Sequence, residues 1–310
     1  MKVSLLFSLS LLTTALAIPF HALELEPRGN PAKVSGAPDP VPTLNPVGKS
    51  HSSVLVHPWI PASAIKNSSR SPCPLLNTLA NHGYLDRSGR RLKKSDFETG
   101  LVQGINLELT FAAALTDNAF FKLADNYGFN PEDPRANLDL EQLNVPNETE
   151  HDQSMTRKDV IQGDTLHQQP KMIAQVLGDS TPPSYPYLNT SSFGRTRLRR
   201  ANESLAIGSR PLRPEEVASC NGEAALVVIL LGETRRRNSE SDDWLVKKER
   251  AGMWFSDERF PWGWKRSSVP ITLGMMNEFA GRIVFWQNYW KGLDCGLGSG
   301  KGETLPLGKC

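Results

Sequence analysis

Three short runs of this chain hold side chains whose types and spacing can do chemistry. The first is Pro72-Cys73-Pro74, followed by Leu-Leu-Asn-Thr-Leu-Ala-Asn-His-Gly-Tyr84. A cysteine just ahead of a proline and an Ala/Leu-rich stretch sits where a helix begins, because proline is favoured at the first helical position. The free N–H groups and partial positive charge of a helix N-terminus bias a sulfur there toward thiolate. Such a thiolate can attack an electrophile or ligate a metal; the plainer alternative is a buried structural cysteine at a turn. The second run is Glu150-His151-Asp152-Gln153-Ser154, continuing through Arg157 to Asp159. The oxygen side chains of Glu150, Asp152 and Ser154 suit a hard cation such as Mg²⁺, the alternative being an acidic surface loop. The third is Cys220-Asn-Gly-Glu223 ahead of the apolar run Ala224 to Leu231. A helix apolar on every side is a buried one. A carboxyl in it must be paired, hydrogen-bonded or neutral, and one moved toward neutrality suits proton transfer.

The elements that carry these runs read as helices. Ser95-Asp96-Phe97-Glu98 has capping-box spacing and opens a helical pattern over about 97–124, in which Gly100 and Gly104 fit close packing. Pro131 to Leu143 predicts a short helix, and Thr156 to Asp159 an N-cap opening a segment through Val160. Met172 to Leu177 is a further helical stretch, 192–206 an Arg-rich amphipathic helix, and Pro214 to Leu231 a long one. No period-2 alternation is sustained, so the expected fold class is mainly α.

The chain has 310 residues and a formal charge of +2, which implies no strongly charged partner and no nucleic acid. Arg195 to Arg200 and Arg235 to Arg237 alternate with acidic stretches and read as solvated faces. Met1-Lys2, the apolar run Val3 to Leu16 and Ala15-Leu16-Ala17 make a secretory signal peptide over 1–17, too short to span a membrane. Residues 18–50 read as a Pro/Gly-rich arm, 51–290 as the folded domain and 291–310 as a Gly-rich tail. Sequons at Asn67, Asn147, Asn189 and Asn202 accord with secretion. Cys295 and Cys310 could close a disulfide in an oxidising compartment.

Taken in order, Pro-Cys-Pro with Asn77, Ala80-Asn81-His82-Gly83-Tyr84, then Glu150-His151-Asp152 with Ser154, then Glu223 on a later helix, resemble the heme-thiolate peroxidase family. The likeness covers roughly residues 70–275. It implies a single all-α domain enclosing one heme b, with Cys73 as the axial ligand of the iron. It implies a divalent cation held by Glu150, Asp152, Ser154 and the backbone carbonyl of His151, and Glu223 as acid–base residue with His151 as its orienting partner. Hydrogen peroxide and a small organic substrate, and in some members halides, are then the partners. Asn77, Asn81 and His82 read as capping and packing residues. Thr149 stands where chloroperoxidases carry an aromatic pocket residue, which makes that corner more open or polar. With Cys73 on iron, Cys220 is left as a buried free thiol. The alternatives are a secreted heme-binding protein without turnover and a non-heme interaction protein of the same fold.

Overall fold

A computed structural model of the protein describes residues 57–234 and 244–294. The expected signal peptide, N-terminal arm and Cys295–Cys310 disulfide, and Arg235 to Arg237, lie outside the described residues. Among the described residues eight helices carry the fold: α1 (Pro74–His82), α2 (Lys94–Ile105), α3 (Leu109–Tyr127), α4 (Pro170–Gly178), α5 (Thr190–Ala206), α6 (Pro214–Leu231), α7 (Lys248–Asp257) and α8 (Leu273–Asp294). The strands are only two to four residues long: β1 (Leu92–Lys93) pairs antiparallel with β2 (Asn137–Leu138), and β5 (Trp244–Lys247) lies between β3 (Tyr187–Leu188) and β4 (Glu233–Thr234). Strands this short leave no readable alternation, so the mainly α expectation holds beside them.

The local rules explain most boundaries. Pro74, Pro170 and Pro214 each occupy the first turn of a helix, where a missing N–H costs nothing. Gly83 ends α1 at φ 75° and Gly128 ends α3 at φ 67°, the left-handed closure that glycine adopts without strain. Helix α6 is buried along most of its length, from Cys220 through Leu231. It packs with α5 against α8. A Cβ on Gly194 of α5 would lie 2.7 Å from Trp286 Cβ, so only glycine permits that approach.

Four expectations are corrected. The pattern over 97–124 is two helices, because Asn106 turns left-handed at φ 61° and Leu107 bridges to Ile271. Helix α2 starts earlier than Ser95: Lys93 is the cap, and its N–H donates to Asp96 Oδ2 at 2.8 Å. Pro131 to Leu143 forms β2 and a 3₁₀ turn (Leu140–Leu143) instead of a helix. Thr156 to Asp159 leads only into a 3₁₀ turn, Val160–Gln162.

Candidate active site

Cys73 is the N-cap of α1, in extended backbone at φ −80° and ψ 112°. Pro74 fixes the first turn behind it; the Cys73 side chain makes no cap hydrogen bond, but the backbone N–H groups of Leu75 and Leu76 lie close enough to favour its charged form. Burial pushes the thiol up to about 11, while those N–H groups and Arg157 work against the rise and the charge of Glu223 adds to it. Without a counter-charge the sulfur therefore stays protonated, whereas a bound cation would favour the thiolate.

Glu223 sits on α6, whose apolar neighbours bury the helix. Its side chain is 53% exposed, yet protein surrounds it closely enough to desolvate the carboxyl. Cys73 is likewise only half-buried, is desolvated, and senses the Glu223 charge, so the two side chains lie near one another. A separate polar groove of about 780 Å³, lined by Tyr84, Arg87, Arg91 and Lys93, holds none of the sequence-predicted site residues.

His151 joins Glu223 from a segment distant in sequence. Its Nε2 lies 3.1 Å from Glu223 Oε1 and its Nδ1 lies 2.9 Å from the carbonyl of Asp152. Both partners are pure acceptors once the carboxyl is ionised, so both ring nitrogens must donate, and the ring is an imidazolium. Burial acts to lower the His151 pKa, but the Glu223 carboxylate outweighs it and holds the ring well above the ordinary histidine range. Burial likewise acts to raise the Glu223 carboxyl, but the His151 charge and hydrogen bond outweigh it and hold it below the ordinary carboxylate range. This corrects the expectation of a carboxyl moved toward neutrality: the proton of the pair rests on His151. Cys220, on the face of α6 one turn before Glu223, is the expected buried free thiol. Its Sγ lies 3.4 Å from His151 Nδ1, a contact the sequence did not signal.

Glu150 and its neighbours divide. Glu150 is 7% exposed, its Oε1 has no hydrogen-bond partner, and burial pushes its carboxyl up to about 8 against the opposing charge of His151. Asp152 Oδ1 accepts from the N–H of Val160 at 2.7 Å, and Ser154 Oγ from that of Arg157 at 3.3 Å. Those two side chains shape the loop. Among the described residues no three His, Cys, Asp or Glu side chains gather as a metal cluster. Thr149 Oγ1 donates to the carbonyl of Leu143 at 2.8 Å, so its hydroxyl is already engaged by the backbone.

The loop is held from α5, where the reading of a solvated arginine face fails. Arg197 and Arg200 are buried. Arg197 Nη1 donates to the carbonyl of Gln153 at 2.5 Å, Arg200 Nε to that of Ser154 at 2.8 Å, and Arg200 Nη2 to Asp159 Oδ1 at 2.8 Å. Asp159, fully buried, also accepts from Gln153 N–H and from the hydroxyls of Ser204 and Ser209. Gln153 lies in the left-handed region at φ 67°, where its backbone is fixed from both sides. Losing one member of such a buried pair typically costs roughly 3–5 kcal/mol, because the other is stranded.

Around α1, Asn77, Asn81 and His82 pack as expected. Asn81 Oδ1 accepts from Arg70, and His82 Nδ1 donates to the carbonyl of His57 at 2.8 Å while its Nε2 accepts from Phe260 N–H at 3.1 Å. Burial lowers the His82 pKa, and with both nitrogens engaged the ring has no proton to exchange.

The chain is similar to known fungal peroxidases and peroxygenases. The chloroperoxidase of Leptoxyphium fumago is 26% identical over 224 residues, covering 70% of this chain and 59% of the relative. An aromatic peroxygenase of Coprinellus radians is 30% identical over 160 residues, 48% of this chain and 60% of the relative. A dothistromin biosynthesis peroxidase of Dothistroma septosporum is 25% identical over 259 residues, 75% of this chain and 60% of the relative. The chain thus spans about three-fifths of the length of these relatives. The family model described as peroxidase, family 2, matches residues 57–269; that stretch takes in Cys73, the Glu150–Ser154 run and Glu223, and the chain belongs to this family of heme-thiolate peroxidases.

Proposed function

We propose that this chain is a secreted heme-thiolate peroxidase or peroxygenase that uses hydrogen peroxide to oxidise or oxygenate small organic molecules, with halides as further candidate substrates. The observation that carries the reading is the His151–Glu223 pair near a helix-start cysteine that senses its charge. Heme b bound through Cys73 would supply peroxide O–O cleavage, which thiolate donation favours. The N–H groups of Leu75 and Leu76 would moderate the charge on the sulfur. Glu223, ionised beside His151, would be the side chain that takes up and gives back a proton of peroxide during that cleavage. His151 keeps its own proton and holds the carboxylate in place. Arg197 and Arg200 fix the loop on which His151 is carried.

Secretion rests on residues 1–17 as signal peptide, and the exposed side chains of Asn67 and Asn202 are open to glycosylation, while that of Asn147 is exposed but accepts from Arg210. Asn189 is engaged instead, its side chain capping α5. No helix among the described residues is long and apolar enough to cross a membrane. The absorption spectrum of purified protein with carbon monoxide tests heme and thiolate together. A red-shifted ferrous–CO band with steady consumption of peroxide is the expected result. The band without consumption would identify a heme binder without turnover, and a colourless folded protein after heme supplementation would overturn the reading.

The same reading includes a divalent cation such as Mg²⁺ held by Glu150, Asp152, Ser154 and the backbone carbonyl of His151. The partnerless Glu150 Oε1 fits this role. The unfolded carboxyl titrates near 4.5 and the folded one near 8. The contribution of Glu150 to the stability of the cation-free protein is then fully present below pH 4.5 and is lost as pH rises through about 8. At ~1.4 kcal/mol per pH unit the loss is roughly 4–5 kcal/mol at most. A bound cation cancels it by holding the ionised carboxylate. Chelator treatment should therefore lower the melting temperature of the heme-loaded protein at pH 8 far more than at pH 5, and Glu150→Gln should remove the difference. Equal chelator effects at both pH values would exclude Glu150 as a ligand.

A further inference from the structure

Behind the Cys73 sulfur, a chain of hydrogen bonds joins two of the candidate segments, and the chemistry above gives it no part. Ser71 N–H donates to Asn77 Oδ1 at 2.8 Å, and Asn77 Nδ2 donates back to the carbonyl of Ser71 at 2.7 Å. Cys73 N–H in turn donates to Ser71 Oγ at 3.2 Å. Asn77, one turn into α1, thus clamps the turn that presents the thiol. Its Nδ2 also donates to Glu258 Oε1 at 2.8 Å, and the same oxygen accepts from Arg157 Nη2 at 2.7 Å. Arg157 belongs to the run that begins at Glu150; its side chain is 1% exposed and that of Glu258 12%.

Glu258 is held tightly enough to tolerate an unfavourable backbone. It closes α7 at φ 48°, a left-handed conformation that costs a non-glycine residue of order 1 kcal/mol or more. Its own carbonyl accepts from Asn81 Nδ2 at 3.0 Å, so α1 grips both its side chain and its backbone. The charges matter as much as the geometry. Arg157 is among the cations that oppose the burial-driven rise of the Cys73 thiol, and the Glu258 carboxylate neutralises it at contact distance. In a desolvated setting, removing one charge of such a pair leaves the other uncompensated.

We propose that Glu258 is a positioning residue that clamps the Cys73 turn through Asn77 and, by neutralising Arg157, sets the charge at the sulfur and with it the reduction potential of an iron bound there. The proposal rests on Cys73 as the iron ligand. An uncompensated Arg157 cation favours the reduced, more negative state of the iron–thiolate unit; an uncompensated Glu258 anion disfavours it. Potentiometric titration of the heme-loaded protein therefore tests the proposal through a sign. Glu258→Gln keeps shape and an acceptor oxygen but loses the charge, and should move the potential upward. Arg157→Gln should move it downward, and the double variant should return toward wild type. A merely structural clamp would loosen the turn in every variant and move all of them in one direction.

An unmoved or lowered potential in Glu258→Gln overturns the proposal, as do shifts of the same sign in the two single variants. Where Arg157→Gln fails to fold, Glu258→Gln is read beside Glu258→Asp, which loosens the clamp but keeps the charge: an upward shift in Glu258→Gln alone supports the proposal, and the same shift in both overturns it. The ferrous–CO spectrum of the same samples separates the two layers. A wild-type spectrum without the thiolate band overturns the assignment of Cys73. The band present with an unmoved potential overturns only the role of Glu258.

Discussion

Cys73→Ala should abolish the red-shifted ferrous–CO band of the heme-loaded protein while Cys220→Ala keeps it. Both are free thiols of the domain, so the contrast depends on where each sulfur lies. Cys73 caps α1, half-buried, with two backbone N–H groups close enough to favour its charge, and it senses the charge of Glu223. Cys220 is 1% exposed and packed against His151, behind the residue that would face a bound peroxide. Thiolate ligation is what shifts the CO band, so its loss is all-or-none. A band retained in Cys73→Ala and lost in Cys220→Ala would reverse the assignment. The N–H groups at the helix start also predict that Cys73→His, if it binds heme, gives a protein with neutral-ligand spectra and much weaker peroxide cleavage, because the electron push of the thiolate is gone.

What the sequence makes legible here is what local rules decide. Pro74 and Pro214 announce helix starts at the two places that matter most, and the structure begins α1 and α6 there. The apolar run after Glu223 predicts a buried helix, and α6 is buried. The missed breaks have distant causes. Nothing in the periodicity around Asn106 marks an end; the turn is fixed because Leu107 pairs with Ile271, and asparagine tolerates the left-handed conformation the pairing demands.

The site divides in the same way. Cys73, Glu150, His151 and Glu223 stand in short runs and can be named from them. Their ionisation cannot, because it is a property of pairs. Glu223 alone in an apolar helix reads as a carboxyl pushed toward neutrality, and the approach of His151, 72 positions away in sequence, reverses the sign. Arg197 and Arg200 lie in a run of arginines that charge pattern alone assigns to solvent. Their burial follows from Asp159 and the Gln153 and Ser154 carbonyls reaching them from another segment. Glu258 carries no local signal at all; only the fold brings it to Asn77 and Arg157.

Glu223→Gln should slow the reaction with peroxide by something like 10²–10⁴-fold, the usual contribution of general acid–base catalysis. The glutamine keeps the shape of the side chain and an oxygen to accept from His151, but it cannot take up a proton. Because Glu223 ligates nothing in this reading, heme content and the CO spectrum should stay near those of the wild type. His151→Ala should cost less in rate at neutral pH, and it should leave a different mark. The His151 charge is what holds the Glu223 carboxyl below its ordinary range against burial; without it, burial raises the carboxyl. A base works only when ionised, so the acidic limb of the pH–rate profile should move to higher pH in His151→Ala and recover toward wild type in a variant that restores a cation there, such as His151→Lys. Stopped-flow absorbance after mixing with peroxide measures the step directly. A wild-type rate in Glu223→Gln would remove Glu223 from the mechanism and turn attention to His151 itself, since His82 has both ring nitrogens committed to the fold. A slowed His151→Ala with an unmoved acidic limb would leave Glu223 as the base but deny that the imidazolium sets its pKa.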